Sequence, residues 1–218
     1  MRPGPSLVRA NLWRRHHETV MDVLVAAAAA LALCPGTGTG TEPELNLELY
    51  WCALRETSRR EKEGLSQPAQ LPVREAPAVV TPATATATSS RKIPDLQWTY
   101  VDQYESDPAA AIRAFVVECK RLGKPALNRA YVTQGIARFV DPHWAYGLGV
   151  SSAAMVGYVQ SRPVADVLVE VNRAASAHQP AVAALMGPVG EVGLQQLAHV
   201  LTRTFPTSPF GLDHIWLA

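Results

Sequence analysis

The stretch Ile112–Leu122, IRAFVVECKRL, constrains this chain more than any other part of it. Phe115, Val116 and Val117 are consecutive and apolar, so both faces of an extended segment need cover. The run predicts a central, buried strand bounded by Gly123. Glu118 and Lys120 stand inside the same run. Residues two apart on a strand share a face, so these two project together while Val117 and Cys119 pack on the other side. A lysine in such surroundings is costly to bury unless a carboxylate accompanies it.

Other segments supply the partners of that strand. Ile93–Val101 alternates Leu96, Trp98 and Tyr100 against Gln97 and Thr99, and reads as a strand that opens on Pro94-Asp95. Gln103–Ala110 reads as a turn. Asn128 is expected to cap a helix of about a dozen residues, RAYVTQGIARFV, ending at Asp141-Pro142. Ala153–Gln160 is a further strand, Pro163–Ala177 an amphipathic helix, and GLDHIWLA a last strand. Residues 181–202 read as a helix broken at Gly187-Pro188. The order predicts an α/β fold: a central mixed sheet flanked by helices.

Two helices are expected before the sheet. The first runs over 13–33, after a loose terminus, and stops at Cys34-Pro35-Gly36. The second starts near Thr41, with Pro43 in its first turn and Glu42 and Glu44 at the positive end of its dipole. Leu47, Tyr50, Trp51 and Leu54 mark its apolar stripe. The tract 66–90, rich in Pro, Ala, Thr and Ser, reads as a surface insertion outside the core. The expected division is therefore an extension over 1–41 and a domain over 42–218.

Composition narrows the classes. Of 218 residues 48% are apolar, which supports a sizeable core, and only 18% are charged. A net charge of +1 leaves any nucleic acid to be met by a local patch. Cys34, Cys52 and Cys119 are too scattered for a disulfide framework or a zinc site, and they suit the reducing cytoplasm. The run 23–33, VLVAAAAALAL, has signal-peptide length but follows His16, His17, Glu18 and Asp22. A buried Ala-rich helix is the preferred reading and an export signal the alternative. The run falls short of the roughly 20 residues that span a bilayer, and no membrane association is expected.

Asp95 on one strand and Glu118 on the next offer hard oxygens suited to Mg²⁺. A metal there polarises a phosphate, and Lys120 can orient or deprotonate a water and offset phosphate charge. Pro94-Asp95 with Glu118-Cys119-Lys120 resembles the PD-(D/E)xK nuclease superfamily, the restriction-endonuclease-like fold. Further along, Tyr131, Gln134-Gly135-Ile136, Arg138-Phe139-Val140, Tyr146, the run 155–159 and the closing HIWLA resemble uncharacterised bacterial members associated with phage defence.

The resemblance implies a Mg²⁺-dependent nuclease, with Mn²⁺ as a substitute, acting on DNA rather than RNA. Its expected metal ligands are Asp95, Glu118, the Cys119 backbone carbonyl and a glutamate of the preceding helix. Glu44 is preferred for that glutamate, because it lies nearer the Leu47/Trp51/Leu54 stripe; Glu48 is the alternative. Lys120 is the expected catalytic lysine and Gln134 a polar residue of the following helix. The rival reading is a catalytically inactive scaffold of the same fold. Arg121, Lys124, Arg129 and Arg138 form one candidate phosphate-binding group, and Arg59, Arg60 and Lys62 a second. Near-neutral charge suggests that a protein partner or a second copy completes the groove. His199 and His214 are expected in the core or on the surface.

Overall fold

The computed structural model describes residues 5–65, 71–75, 93–107, 111–144, 146–180, 182–185, 187, 193–204 and 208–218. Six strands form one sheet among them: β1 (Val73–Arg74), β2 (Leu96–Val101), β3 (Ile112–Leu122), β4 (Ser152–Val159), β5 (Leu194–Leu201) and β6 (Phe210–Leu217). Their spatial order is β1-β2-β3-β4-β6-β5. β2 is antiparallel to β3, β4 is parallel to both β3 and β6, and β5 is antiparallel to β6. The architecture is α/β, an open mixed sheet with helices on both faces.

One face carries α1 (Pro5–Ala32) and α2 (Glu42–Lys62). Trp13 of α1 donates to Ser152 Oγ at 3.2 Å, His17 meets Asp213 at 2.9 Å, and the His17 ring stacks on Phe115. Val20, Val23, Leu24, Ala27, Ala28 and Leu31 are fully buried, so α1 belongs to the same core as the sheet. Truncating one of its larger apolar side chains, such as Leu24→Ala, costs about 2–5 kcal/mol. α1 begins at Pro5, inside the stretch 1–12 expected as a loose terminus and before the expected start at 13; proline presets φ for a first helical turn.

The other face carries α3 (Pro125–Ala130), a π-helical segment (Tyr131–Ile136) and α4 (Ala137–Val140), which form one continuous rod, with α5 (Val164–Ala177) behind them. Asn128, expected as a cap, lies inside the rod. Its side chain turns inward, where Oδ1 accepts the Gly123 N–H at 2.8 Å and Nδ2 donates to Glu170 at 2.7 Å. Tyr131 reaches the sheet, with its hydroxyl 2.7 Å from His214 Nδ1 and accepting the Trp216 indole N–H at 3.0 Å. His214 and His199 are both buried, consistent with core histidines.

Two further expectations fail, over 194–201 and on α2. Residues 194–201 form a strand, not a helix: Leu197, His199 and Leu201 are buried while Gln196, Ala198 and Val200 are exposed, a period of two. Within 66–90, Val73–Arg74 pairs with Gln97 and Leu96 at the sheet edge, with Val73 exposed; 66–70 and 76–90 lie outside the described residues. On α2 the buried residues are Leu45, Asn46, Leu49, Cys52, Ala53 and Thr57, whereas Leu47 and Trp51 are 38% and 47% exposed. α1 and the sheet together cover a face of α2 rotated away from the expected stripe.

Candidate active site

β2 begins at Leu96, opposite Val117 of β3. Beyond Val117, β3 pairs only with β4, so one edge of residues 118–122 is open. Two backbone N–H groups on that edge need acceptors. Asp95 Oδ2 accepts from Cys119 at 2.7 Å, and Glu42 Oε2 accepts from Arg121 at 3.2 Å. Two carboxylates thus stand where a neighbouring strand would have placed carbonyls. The rest of Asp95 is fixed from α2: Oδ1 accepts from Asn46 Nδ2 at 3.0 Å, and Asn46 Oδ1 accepts from the Tyr158 hydroxyl at 3.0 Å.

Glu118 and Lys120 project from β3 to the face covered by the π-helical segment. Lys120 Nζ lies 2.8 Å from Glu118 Oε1, 2.9 Å from Glu42 Oε1 and 3.9 Å from Asp95 Oδ2, and donates to the Cys119 carbonyl at 2.8 Å. The ammonium therefore sits amid four oxygens. Gly135 makes room for this packing, since a Cβ there would fall 2.4 Å from Met155 Cε and 3.6 Å from Lys120 Cγ.

Glu118 is 1% exposed. Its Oε1 also accepts from Arg138 at 2.6 Å, while Oε2 is buried with no hydrogen-bond partner. The Arg138 guanidinium lies over the Trp144 ring at 4.6 Å and near the Tyr146 ring at 5.7 Å. Aromatic walls on this side shield the Glu118 pair from water and strengthen it.

Burial, then the charge of Asp95, pushes the Glu118 carboxyl up to about 7, against Lys120 and Arg138. Burial also raises Asp95, and Lys120 opposes it. For Lys120, burial favours the neutral amine, but Glu118, Asp95 and Glu42 together outweigh it and hold the group above its usual value, as an ammonium.

Of the residues anticipated from sequence, the fold brings Asp95, Glu118, Lys120 and the Cys119 carbonyl together. Glu44 is not among them: its carboxylate accepts the Thr41 N–H at 2.9 Å and the Thr41 hydroxyl at 2.7 Å, a capping role at an exposed helix start. Glu48 is exposed. Gln134 is exposed on the π-helical segment, and Arg138, one turn further on, reaches Glu118 instead. The helix glutamate at the site is Glu42, which lies three and seven residues before Leu45 and Leu49 on the buried face. Glu42, expected only as a helix-dipole residue, and Arg138, expected on phosphate, both belong to this cluster, and Asn46 joins them without a sequence expectation; the phase of α2 set by Leu45 and Leu49 is the signal that marks Glu42 and Asn46. The Cys119 thiol is buried on the opposite face.

The second basic group is taken up locally: Arg59 and Arg60 pair with Glu56, and Arg59 also pairs with Glu63. No helix among the described residues is long and apolar enough to cross a membrane.

No family model matches the chain, and neither the curated proteins nor the solved structures yield a match to it.

The oxygens round Lys120 Nζ, three from carboxylates and one from a peptide, are hard donors of the kind Mg²⁺ takes. The ammonium is the cation they now share, and Glu118 Oε2 is left over. Among the described residues no three His, Cys, Asp or Glu side chains are grouped closely enough to form a metal cage of their own. The donor set fits a hydrated ion held by few protein ligands.

Proposed function

We propose that the chain is a metal-dependent nuclease of the PD-(D/E)xK, restriction-endonuclease-like kind, hydrolysing phosphodiester bonds of DNA. One observation carries the reading: Glu42, Asp95, Glu118 and Lys120, from three separate elements, meet at the open edge of β3. The order of a helix, an antiparallel strand pair, a helical rod and a parallel strand supports the finer fold assignment.

Glu42, Asp95, Glu118 and the Cys119 carbonyl are the residues that would hold Mg²⁺, with Mn²⁺ as its substitute. Bound there, the metal supplies Lewis-acid polarisation of a phosphodiester oxygen. Lys120, kept cationic by its carboxylates, orients the attacking water and offsets charge that builds on the phosphate. Its charged state makes it a poor general base. Arg138 compensates the buried Glu118 carboxylate, and Asn46 fixes the rotation of Asp95.

Bacterial anti-phage defence follows from the resemblance in sequence, and a cytoplasmic location from the three scattered thiols. The packing of α1 supports the second, because removing 1–34 would strip the helix that covers Phe115 and Tyr100. A catalytically inactive scaffold has one feature in its favour: Glu118 Oε1 already accepts from both Lys120 and Arg138. Incubation of plasmid and single-stranded DNA with the protein in Mg²⁺, Mn²⁺ or EDTA decides between the two. The nuclease reading expects cleavage with either metal, none with EDTA, and none from Asp95→Asn. Metal-independent cleavage, or full cleavage by Asp95→Asn, overturns it.

A further inference from the structure

One residue beyond Lys120 the same strand opens into a cavity of about 260 Å³. Leu122 and Leu127 line it on the apolar side, and Arg121, Lys124, Gln160 and Ser161 supply its polar wall. Both charged residues lining it are cations; no carboxylate does so. Several other arginines are each matched by a carboxylate: Arg60 by Glu56, Arg113 by Asp102, Arg138 by Glu118 and Arg162 by Glu170. Arg121 and Lys124 have no such partner among the described residues, and Arg121 Nε is buried without a hydrogen bond.

The walls are firmly built. Gly123 has φ +132°, and a Cβ there would stand 2.0 Å from the Gln160 carbonyl oxygen, so only glycine lets the ends of β3 and β4 approach this closely. Asn128 holds the Gly123 N–H, which sets the path of the chain into Lys124. Gln160 Nε2 donates to the Gly40 carbonyl at 2.9 Å, joining the cavity wall to the segment that leads into α2. Arg121 is itself tied to the site, since its N–H is held by Glu42 Oε2.

We propose that this cavity seats a phosphate group of the nucleic acid, beside the one presented to Lys120. A guanidinium, an ammonium and a hydroxyl belong to the residues that line it, and no carboxylate does, the chemistry that phosphate oxygens need. The inference rests on the nuclease reading and deepens it by assigning where the bound strand is gripped. The phosphate is either internal to the strand or at its terminus.

The test is fluorescence anisotropy of labelled DNA duplexes, with and without a 5′ phosphate, in Ca²⁺ buffer from about 50 to 200 mM salt. Arg121→Gln/Lys124→Gln is expected to bind at least about 10-fold more weakly at low salt, with the logarithmic salt slope shallower by about two charges. Lys124→Gln alone, at an exposed position, is expected to flatten the slope by about one, and covers the case in which the double variant does not fold. A 5′-phosphate preference lost in the variants assigns the terminus; equal loss on both duplexes assigns an internal phosphate.

Folded variants with wild-type affinity and slope overturn the proposal, even where cleavage by the wild type is normal, in which case the nuclease reading survives. Should the wild type neither bind nor cleave DNA, the nuclease reading falls, and an NMR titration with inorganic phosphate decides on the cavity alone. Shifts of the Lys124 and Ser161 amides that are absent in Lys124→Gln then support it, and their absence from the wild type overturns it.

Discussion

Asp95 completes the open edge of β3 by accepting the Cys119 N–H on Oδ2 at 2.7 Å. The same carboxylate faces Lys120, so a backbone requirement and a charge requirement are met by one side chain. This dual role separates two substitutions. Asp95→Ala leaves the Cys119 N–H without its acceptor and should lower stability by about 1–3 kcal/mol. Asp95→Asn keeps a carbonyl oxygen there and should lose less than that, while losing cleavage. Urea unfolding and plasmid cleavage on both variants check the pair of outcomes.

Glu42 and Glu44, two residues apart, should behave in opposite ways. Glu42→Gln removes a negative charge 2.9 Å from Lys120 Nζ and is expected to abolish or strongly reduce cleavage. Glu44→Gln keeps a side chain able to cap Thr41 and should leave cleavage intact, with a stability change below about 1 kcal/mol. Cleavage that depends on Glu44 and not on Glu42 would move the site away from the β3 edge.

Lys120→Met leaves Glu42, Asp95 and Glu118 together, with Arg138 as the remaining cation. Removing one partner of a buried charged set typically costs about 3–5 kcal/mol. The variant should melt well below the wild type in EDTA and be inactive. Mn²⁺ should raise its melting temperature more than it raises that of the wild type, because the ion replaces the missing positive charge. Equal Mn²⁺ effects on the two proteins would remove the carboxylates from the metal site.

Stability should fall on acidification between pH 6.5 and about 4. Burial lowers His199 to about 4, as it does His16, while an unfolded histidine titrates near 6.5. In that window the unfolded chain binds protons that the folded chain does not, so stability rises with pH. For His199, which is buried, the loss is on the order of 3 kcal/mol. Glu118 works in the opposite sense: raised from 4.5 to about 7, it costs stability as pH rises through that range. Glu118→Gln should therefore show a steeper loss from pH 7 to 4 than the wild type, read as urea midpoints against pH.

The strands β2, β3, β4 and β6 and the shared facing of Glu118 and Lys120 can be read along the chain before any fold is known. Those features rest on local signals: a period of two, a run of apolar residues, and the geometry of neighbours on one strand. Pro94-Asp95 at the mouth of β2 was legible for the same reason. What neighbours cover was not. Leu47 and Trp51 are as apolar as Leu45 and Leu49, and only the positions of α1 and the sheet decide which pair is buried, and hence that Glu42 and Asn46, not Glu44, look into the site. Arg138 became part of the site because a π-helical turn and a glycine at 135 let the rod approach β3, an outcome of packing between elements far apart in the chain. β5 read as broken helix, since an edge strand with one wet face carries too short an alternation to stand out before its partner β6 is in place. Periodicity belongs to the chain, whereas helix phase, edge pairing and the employment of a given carboxylate depend on contacts that exist only after folding.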